Sequence, residues 1–303
     1  MGKLSSWALR KASEKDAVLH NGAKAHEVHK GRDGHEVATP RTWSDKRPAG
    51  MAAQTWMQHF KGRPSDDPEE PMKHMTPTAE RKARVHDPIM NAALKNKPLP
   101  AADEKKIAIM TMGGPASGKS SMLKNVDKSK FVVVDPDHIK GALPEYVKAI
   151  GNKKATYKKA AFMAHEESSY LAKKIRDEAI KRGNHVIIDG TGANADKFLK
   201  TMGDLKGKGY EVQVHYPHLG AEEGSKRVAA RANGSGRMVP AEFVHRAYKK
   251  IDENLERIRA AADNFHAYDA SKPGHPKIST KENGKETVHD EATHAAFVNR
   301  KRM

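Results

Sequence analysis

The pattern of apolar and polar positions separates the first third of the chain from the rest. Apolar residues at regular spacing are sparse before about residue 105, and after it short apolar runs alternate with longer amphipathic stretches. Strands and helices that alternate in this way are typical of a parallel sheet with helices on both faces. The pattern therefore predicts an α/β domain that follows a largely irregular N-terminal arm.

The strands predicted in the α/β region are short, and helical periodicity recurs between them. Strands are predicted at 107–112, 131–134, 185–188 and 210–216, with a last one near 267–269. Helices are predicted from Lys119, at 156–182 with Gly183 as the C-cap, at 196–205, at 221–232 and along the stripe from Val244 to Ile258. Residues 233–236 are predicted to form a flexible loop, and the polar chain after Ser271 is predicted to be a frayed tail.

The first 104 residues are rich in Lys, His, Asp, Gly and Pro, so much of this arm is predicted to be extended or disordered. All three tryptophans, Trp7, Trp43 and Trp56, lie in it. We interpret these aromatic residues as contacts that fix the arm to the following domain. A docking segment for another protein is the alternative.

Two short helices are predicted within the arm. One spans 51–60, where Trp56 and Phe60 are four residues apart on one face. The other lies near 79–94 and is predicted to be broken by Pro88. The predicted organisation is thus a basic, partly disordered region at 1–104, an α/β domain at 105–270 and a polar tail at 271–303.

The charge balance favours anionic partners. The chain has 55 Lys and Arg against 38 Asp and Glu, which gives a formal net charge of +17. Nucleic acid is one candidate, but an enzyme that binds nucleotides also gathers positive charge around phosphates. Nucleic-acid binding is therefore an alternative and not the favoured interpretation.

The sequence also argues against several classes of protein. It has no cysteine, which excludes a disulfide framework, a thiol nucleophile and a cysteine-based metal site. Its longest apolar runs are far shorter than the ~20 residues that a membrane helix needs, and the first residues lack the apolar core of a secretory signal. We expect a cytoplasmic protein without membrane association.

A glycine-rich segment directly after the first predicted strand carries the strongest chemical signal. Gly113, followed after four residues by Gly118-Lys119-Ser120, fits the spacing of a phosphate-binding loop. The backbone N–H groups of such a loop point toward phosphate oxygens at the start of a helix. Lys119 is predicted to reach the β- and γ-phosphates, and Ser120 to bind Mg²⁺. The predicted nucleotide-binding residues are Gly113, Gly114, Pro115, Ala116, Ser117, Gly118, Lys119, Ser120 and Ser121.

Acidic residues follow two other predicted strands. Asp135 and Asp137 come after 131–134, and Asp189 comes after 185–188. Because ligands bind at the carboxyl ends of parallel strands, these carboxylates are expected beside the bound phosphates. There a carboxylate can hold Mg²⁺ or accept the proton of an attacking hydroxyl. Helix capping is the alternative role for Asp137.

Basic residues near the predicted flexible loop complete the set. Arg227 and Arg237 are predicted to neutralise charge on a phosphoryl group during transfer. Arg231 lies between them and is left open, because runs of charge on a helix usually face solvent.

Four segments in this order resemble the zeta toxin family of P-loop kinases. They are Gly113–Ser121, the Val-Asp-Pro-Asp-His-Ile-Lys run within Val134–Tyr146, Ile188–Gly192 and Gly236–Pro240. The resemblance covers roughly residues 105 to 270. It implies a P-loop NTPase-type fold and the phosphorylation of a hydroxyl on UDP-N-acetylglucosamine with ATP or GTP and Mg²⁺. It also implies an antitoxin protein as a partner.

The resemblance assigns roles by position. Asp137 matches the general base, Lys119 the phosphate contact, and Arg227 and Arg237 the pair that stabilises the transferred group. Ser120 and Asp135 are the predicted metal residues. The predicted substrate-binding residues are Asp189, Thr191, Thr201 and Glu167, with Glu166 as a neighbouring alternative to Glu167.

Two other functions remain open from the sequence. A polynucleotide or nucleoside kinase uses the same parts, and the charge of +17 suits a polyanionic acceptor. A nucleotide-binding structural or delivery protein is the alternative of another class, because the N-terminal third has no counterpart in the resemblance.

Overall fold

The computed structural model describes residues 26–30, 36–40, 59–62, 72–151, 164–235, 239 and 241–299. The described strands are β1 (His26–Lys30), β2 (Glu36–Pro40), β3 (Phe60–Lys61), β4 (Thr76–Pro77), β5 (Lys106–Thr111), β6 (Phe131–Val134), β7 (His185–Ile188), β8 (Tyr210–His218), β9 (Asn264–Asp269), β10 (Lys277–Glu282) and β11 (Lys285–Val288). The described helices are α1 (Ala79–Arg81), α2 (Asp87–Leu94), α3 (Lys119–Met122), α4 (Pro136–Lys140), α5 (Pro144–Gly151), α6 (His165–Arg182), α7 (Ala195–Lys206), α8 (Ala221–Ser235), α9 (Ala241–Ala261) and α10 (Glu291–Asn299).

The chain forms two compact units. The sheet unit contains Leu94–Val134, Ile175–Arg227 and the described residues from Val244 onward. The Arg81 unit contains the described residues up to Ala93, together with those in 135–174 and 228–243. The boundaries near residues 104 and 270 stay predictions.

The largest sheet among the described residues has seven strands in the order β11-β10-β9-β8-β5-β7-β6. Strands β5 to β9 are parallel to one another, and β10 is antiparallel to both of its neighbours, β9 and β11. Helices flank this sheet. The predicted α/β fold is confirmed, and β5 lies between β7 and β8, so the segment that follows it leaves the middle of the sheet.

Burial on both faces explains why the central strands read as nearly continuous apolar runs. Ile109 of β5 is in register with Ile187 of β7, and both join a buried cluster with Leu123 and Phe131. Met110 points to the opposite face, because successive side chains of a strand alternate. The predicted bounds of β5, β6, β7 and β8 therefore agree with the observed bounds to within two residues.

The structure tests where two of the predicted helices end. Helix α6 ends at Arg182, where Gly183 has a φ of +84° and its N–H bonds to the Ile180 carbonyl, so the predicted C-cap is confirmed. The predicted start of this helix, 156–163, lies outside the described residues. Helix α8 continues to Ser235, so the flexible loop predicted at 233–236 was wrong for 233–235, and residue 236 lies outside the described residues.

The prediction of a frayed tail after Ser271 was also wrong. Strand β10 pairs with β9, and β11 pairs with β10. Helix α10 follows and contains the last described residues. The turn between β10 and β11 is Asn283-Gly284, with φ values of +51° and +79°. An Asn-Gly pair is a strong signal for a two-residue hairpin turn, so this hairpin had a readable signal in the sequence.

The Arg81 unit includes the short β3-β4 pair, in which Phe60 is in register with Pro77. Phe60 is buried with Met72 and Met75, and its ring meets that of Tyr170 edge-on at 5.6 Å. Phe60 is thus in a strand and not in the predicted helix at 51–60. Residues 51–58 of that segment, and all three tryptophans, lie outside the described residues.

Pro88 does not break the helical segment between 79 and 94. A π-helical turn at Lys82–His86 joins α1 to α2, and the Asp87 N–H bonds to the Lys82 carbonyl. Pro88 lies in the first turn of α2, where its missing N–H is tolerated. The helical segment therefore continues through Pro88.

The described helices contain no segment that is both long enough and apolar enough to span a membrane.

Candidate active site

The glycine-rich loop between β5 and α3 contains three residues with left-handed backbone conformation. Gly113 has a φ of +146°, Gly118 of +94° and Ala116 of +59°. A side chain is strained in this region, and such strain is found at functional sites when the surroundings hold it in place. A Cβ atom on Gly113 would lie 2.7 Å from the Ser117 hydroxyl, so this position also needs glycine for space.

Backbone hydrogen bonds fix the start of the loop to both neighbouring strands. The Met112 N–H bonds to the His215 carbonyl of β8 at 2.9 Å, and the Gly113 N–H bonds to the Thr191 carbonyl beyond β7 at 3.0 Å. Within the loop, the Ser117 N–H bonds to the Gly114 carbonyl at 3.2 Å. The loop is therefore held at its base before any ligand binds.

Lys119 and Ser117 are the polar side chains that stand out inside the loop. The Lys119 ammonium donates to the Gly113 carbonyl at 2.9 Å and to the Gly114 carbonyl at 3.3 Å. The Ser117 hydroxyl is buried and has no hydrogen-bond partner among the described residues. A buried hydroxyl without a partner is costly unless a ligand supplies one. These groups fit a loop that receives a phosphate.

Two of the predicted substrate-binding residues lie beside this loop. Thr111 at the end of β5 donates its hydroxyl to the Asp189 carboxylate at 2.6 Å and accepts the Gly190 N–H at 3.2 Å. Thr191 supplies the carbonyl that holds Gly113, and its hydroxyl accepts the Ala193 N–H. The carboxyl ends of β5 and β7 thus bring Asp189 and Thr191 to the loop.

Thr201 lies in helix α7, and its side chain forms a hydrogen bond within that helix. Its hydroxyl donates to the Lys197 carbonyl one turn earlier at 3.0 Å. Such a bond back to the preceding turn is common for threonine in helices. Its role toward a substrate stays a prediction.

Arg227 lies on helix α8, half-buried, and its Nε donates to Glu223 one turn earlier at 3.1 Å. Arg237 lies outside the described residues. Arg231 is half-buried in the same helix as Arg227.

In the Arg81 unit, the two aspartates after β6 have different partners. Asp135 is the N-cap of α4, because its Oδ1 accepts the N–H groups of Asp137 at 2.8 Å and His138 at 3.3 Å. The Asp137 carboxylate instead accepts the Lys140 ammonium at 2.9 Å. The capping role considered for Asp137 belongs to Asp135.

Glu167 lies in a second polar group of the Arg81 unit, the Glu167 cluster, which consists of Arg81, His86, Glu145 and Glu167. Arg81 donates to both oxygens of Glu167 at 2.7 Å and to both oxygens of Glu145 at 2.8 Å. His86 lies 2.7 Å from the same Glu167 carboxylate. The π-helical turn explains this, because a π-helix brings residues five apart, here Arg81 and His86, toward the same side.

The hydrogen bonds of this cluster control its charges. Burial alone would raise the pKa of Glu167, but hydrogen bonds from His86 and Arg81 outweigh it and lower that pKa below its ordinary value. Burial likewise opposes ionisation of Glu145, and Arg81 lowers the pKa of that carboxyl. Both glutamates are therefore ionised and engaged with protein partners, which is the arrangement of a structural ion pair.

Comparison with known proteins identifies the family. The family model described as "Zeta toxin" matches residues 90–291, about two thirds of the sequence. The chain belongs to the zeta toxin family. Two curated relatives, each named Toxin zeta, are 25% identical in Enterococcus hirae and 24% identical in Streptococcus pyogenes, over 167 residues. That match covers 52% of this chain and spans 57% of the length of either relative.

Solved structures share the fold of this zeta toxin family member. A structure of the PezAT chromosomal toxin–antitoxin system of Streptococcus pneumoniae has a TM-score of 0.53 at 15% identity, and the match covers 73% of this chain and 88% of that one. A structure of the AvrRxo1-ORF1:-ORF2 complex has a TM-score of 0.62 at 15% identity, and the match covers 80% and 81% of the two chains. At this identity the likeness concerns the fold.

Several residues near the loop of this zeta toxin family chain had not been predicted. Tyr248 donates its hydroxyl to the Pro115 carbonyl, Asn254 donates to the Gly192 and Ala193 carbonyls, and the His275 imidazole lies against Gly118. Tyr248 belongs to the amphipathic stripe from Val244 to Ile258, which predicted it as a core residue. The residue types gave no signal for these contacts, because they depend on which elements meet in the fold.

The residues present also fit a Mg²⁺ ion held mainly by phosphate. Among the described residues no group of three His, Cys, Asp or Glu side chains could hold a metal. Mg²⁺ at a nucleotide site typically keeps one or two protein ligands and takes the rest from phosphates and water. The exposed Ser120 hydroxyl at the start of α3 is suited to that role.

Proposed function

We propose that this protein is a kinase that transfers the γ-phosphate of ATP or GTP to a hydroxyl group of a small acceptor, with UDP-N-acetylglucosamine as the best candidate. The observation that carries the proposal is the loop at 113–121, with its strained backbone, its anchored Lys119 and its unpartnered Ser117 hydroxyl, in a member of the zeta toxin family.

On the donor side, the loop binds the nucleotide phosphates. The N–H groups of Lys119 and Ser120 open helix α3, where no carbonyl of a preceding turn accepts them. Phosphate oxygens accept these N–H groups and replace the loop carbonyls as partners of the Lys119 ammonium. A Mg²⁺ ion at Ser120 and Asp135 would neutralise charge on the phosphates when bound. A structure of AvrRxo1-ORF1:-ORF2 with ATP supports ATP as the donor.

On the acceptor side, Asp137 is the general base. Its carboxylate takes the proton of the acceptor hydroxyl while that oxygen forms a bond to the γ-phosphorus. The bond between the γ-phosphorus and the bridging oxygen breaks, and the nucleoside diphosphate leaves with the electron pair. The Lys140 ammonium donates to the Asp137 carboxylate at 2.9 Å and so holds it in place.

Two groups of residues complete the proposed site. Arg227 and Arg237 neutralise charge on the phosphoryl group during transfer. Asp189 and Thr191 contact the acceptor beside the loop, and Thr201 and Glu167 are the further acceptor residues that the family resemblance implies. Both Glu167 oxygens accept hydrogen bonds from Arg81, so a role of this residue toward the acceptor uses the acceptor capacity that these bonds leave on the carboxylate.

An antitoxin is the proposed protein partner. This proposal is supported by the shared fold with PezAT, which is a chromosomal toxin–antitoxin system. Cytoplasmic localisation stays a prediction.

The proposal is tested by incubating the protein with γ-labelled ATP, Mg²⁺ and UDP-N-acetylglucosamine, and by identifying the labelled product by mass spectrometry. Lys119→Ala and Asp137→Asn are expected to abolish transfer. Asp204→Asn, which removes the charge of an exposed carboxylate paired with Lys200, is the matched control and is expected to retain it. Full activity of Asp137→Asn would remove Asp137 from the mechanism.

A polynucleotide kinase is the second candidate, and the charge of +17 is the observation that favours it. A polynucleotide acceptor releases counterions when it binds, so its affinity falls steeply with added salt. Transfer to a 5′-hydroxyl oligonucleotide that exceeds transfer to UDP-N-acetylglucosamine and falls steeply with salt would favour this candidate.

A further inference from the structure

A tyrosine from outside the loop contacts the strained part of the nucleotide loop. Tyr248 lies on α9 with 3% of its surface exposed, and its hydroxyl donates to the Pro115 carbonyl at 3.0 Å. The next residue, Ala116, has a φ of +59°, which residues other than glycine rarely adopt. The hydrogen bond from Tyr248 therefore fixes the peptide group that leads into the left-handed residue.

Two glycines make room for this ring. A Cβ atom on Gly114 of the loop would lie 2.4 Å from the Tyr248 ring, and a Cβ atom on Gly224 of α8 would lie 2.4 Å from its hydroxyl oxygen. Neither glycine has a left-handed φ, so a close approach of the tyrosine, and not backbone conformation, is what requires glycine at both positions.

The surroundings keep the hydroxyl as a donor. Burial raises the pKa of Tyr248, and the charges of Asp252 and Glu223 act in the same direction, whereas Arg227 opposes them. The hydroxyl is therefore protonated throughout the physiological range. Gly224, Glu223 and Arg227 belong to the same part of α8, so Tyr248 joins this part of the helix to the loop.

We propose that Tyr248 is a positioning residue for nucleotide binding, which holds the Pro115 carbonyl and thereby keeps the loop at 113–118 in its phosphate-binding conformation. This inference rests on the proposed function, because it requires that the loop binds a nucleotide. It adds a residue to which neither the loop motif nor the family resemblance points.

The chain offers a matched control. Tyr210 at the start of β8 is also buried, and its hydroxyl donates to a backbone carbonyl, that of Asn184, at 2.8 Å. Asn184 directly precedes β7, so this bond lies at the amino ends of the parallel strands, opposite to the edge from which the loop leaves. Tyr248→Phe and Tyr210→Phe therefore remove the same kind of hydrogen bond from two places.

The test measures ATP binding by isothermal titration calorimetry on the full chain, without acceptor. Loss of one hydrogen bond is worth roughly a three- to tenfold change, so Tyr248→Phe is expected to weaken ATP binding by that factor. Tyr210→Phe is expected to bind ATP as the wild type does. Both variants are expected to have lower melting temperatures than the wild type. In the kinase reaction, Tyr248→Phe is expected to raise KM for ATP and to leave kcat within about twofold, as loss of ground-state binding predicts.

A second pair of variants approaches the tyrosine from the other side. Gly224→Ala places a methyl group against the Tyr248 hydroxyl and is expected to weaken ATP binding as well, even though alanine favours a helix. Gly203→Ala on α7 is its control, since no atom lies within 4 Å of the added Cβ.

ATP binding of Tyr248→Phe within twofold of the wild type would overturn this inference and leave the proposed function intact. A wild-type chain that binds no nucleotide would overturn both.

Discussion

Two polar groups in this protein show opposite patterns of hydrogen bonding. In the Glu167 cluster, Arg81 donates to both oxygens of two glutamates, and His86 adds a further contact, so the buried charges are paired within the protein. In the loop at 113–121, the buried Ser117 hydroxyl has no partner among the described residues, and Lys119 bonds only to carbonyls of its own loop. The first pattern stabilises a fold, and the second leaves groups available for a ligand.

The comparison teaches that burial of a charged residue is a weak guide to function by itself. Glu167 was predicted as a substrate residue, and it is buried, ionised and close to other titratable groups, as many active-site residues are. Its hydrogen bonds to Arg81 and His86 pair its charge within the protein, and its role toward a substrate stays a prediction. The loop has fewer charges, but its strain and its unpartnered hydroxyl point to a ligand.

The largest effect is expected from Arg81→Met, which removes the centre of the Glu167 cluster. Two carboxylates then lose their main donor, and breaking a buried ion pair from one side costs about 3 to 5 kcal/mol. Urea denaturation is expected to show this loss of unfolding free energy. A loss below about 1 kcal/mol would mean that the cluster behaves as a surface ion pair and would break the comparison.

Lys119→Ala is expected to have the opposite profile. Removing a group that stabilises developing charge typically costs 10² to 10³ in rate, so phosphoryl transfer is expected to fall by at least a hundredfold. The free energy of unfolding is expected to change by less than about 1 kcal/mol, since the ammonium holds only loop carbonyls. A large loss of stability would contradict the assignment of Lys119 to ligand binding.

The stability of the Glu167 cluster is expected to depend on pH. Glu145 and Glu167 have pKa values in the folded chain below their ordinary value of 4.5, so the unfolded chain takes up protons first as the pH falls. Their contribution is complete above about that value and is lost as the pH falls through the folded pKa values. Unfolding measured from pH 7 to pH 3 is expected to show this loss, and Glu167→Gln is expected to reduce it.

The smallest effect is expected from Ser117→Ala. Removing a buried hydroxyl without a partner is expected to leave the unfolding free energy unchanged or to raise it by up to about 1 kcal/mol. ATP binding is expected to weaken by a few fold, because the hydroxyl then cannot reach a phosphate. A clear loss of stability would show that the hydroxyl has a structural role and would remove one of the two observations that distinguish the loop.

Much of the sheet could be predicted from the sequence, for physical reasons that the structure makes clear. Strands such as 107–112 are buried on both faces, and this leaves a continuous apolar run that periodicity detects. The hairpin after Ser271 was missed because polar residues such as Thr280 of β10 are buried through hydrogen bonds and not through apolar packing. The Asn283-Gly284 turn was the remaining signal.

For the candidate site, the spacing of glycine and lysine predicted the loop, and no sequence pattern indicated the residues that contact it in the fold. The spacing of Gly113, Gly118 and Lys119 has a local cause, the geometry of one loop, so it is readable in one sequence. Tyr248 and Lys140 act on partners that only the fold or a helical turn brings near. The engagement of Glu167 with Arg81, 86 residues apart in the chain, leaves no local pattern at all.

The most direct test of the central claim is phosphorus NMR of the wild-type chain with ATP, Mg²⁺ and UDP-N-acetylglucosamine. The account predicts that the γ-phosphate signal of ATP decreases while signals of ADP and of a new phosphomonoester on the sugar nucleotide increase together, and that Lys119→Ala abolishes the change. Conversion of ATP to ADP and free phosphate without a new ester, or no conversion by the wild-type chain, would contradict the claim that this loop is the donor half of a kinase site.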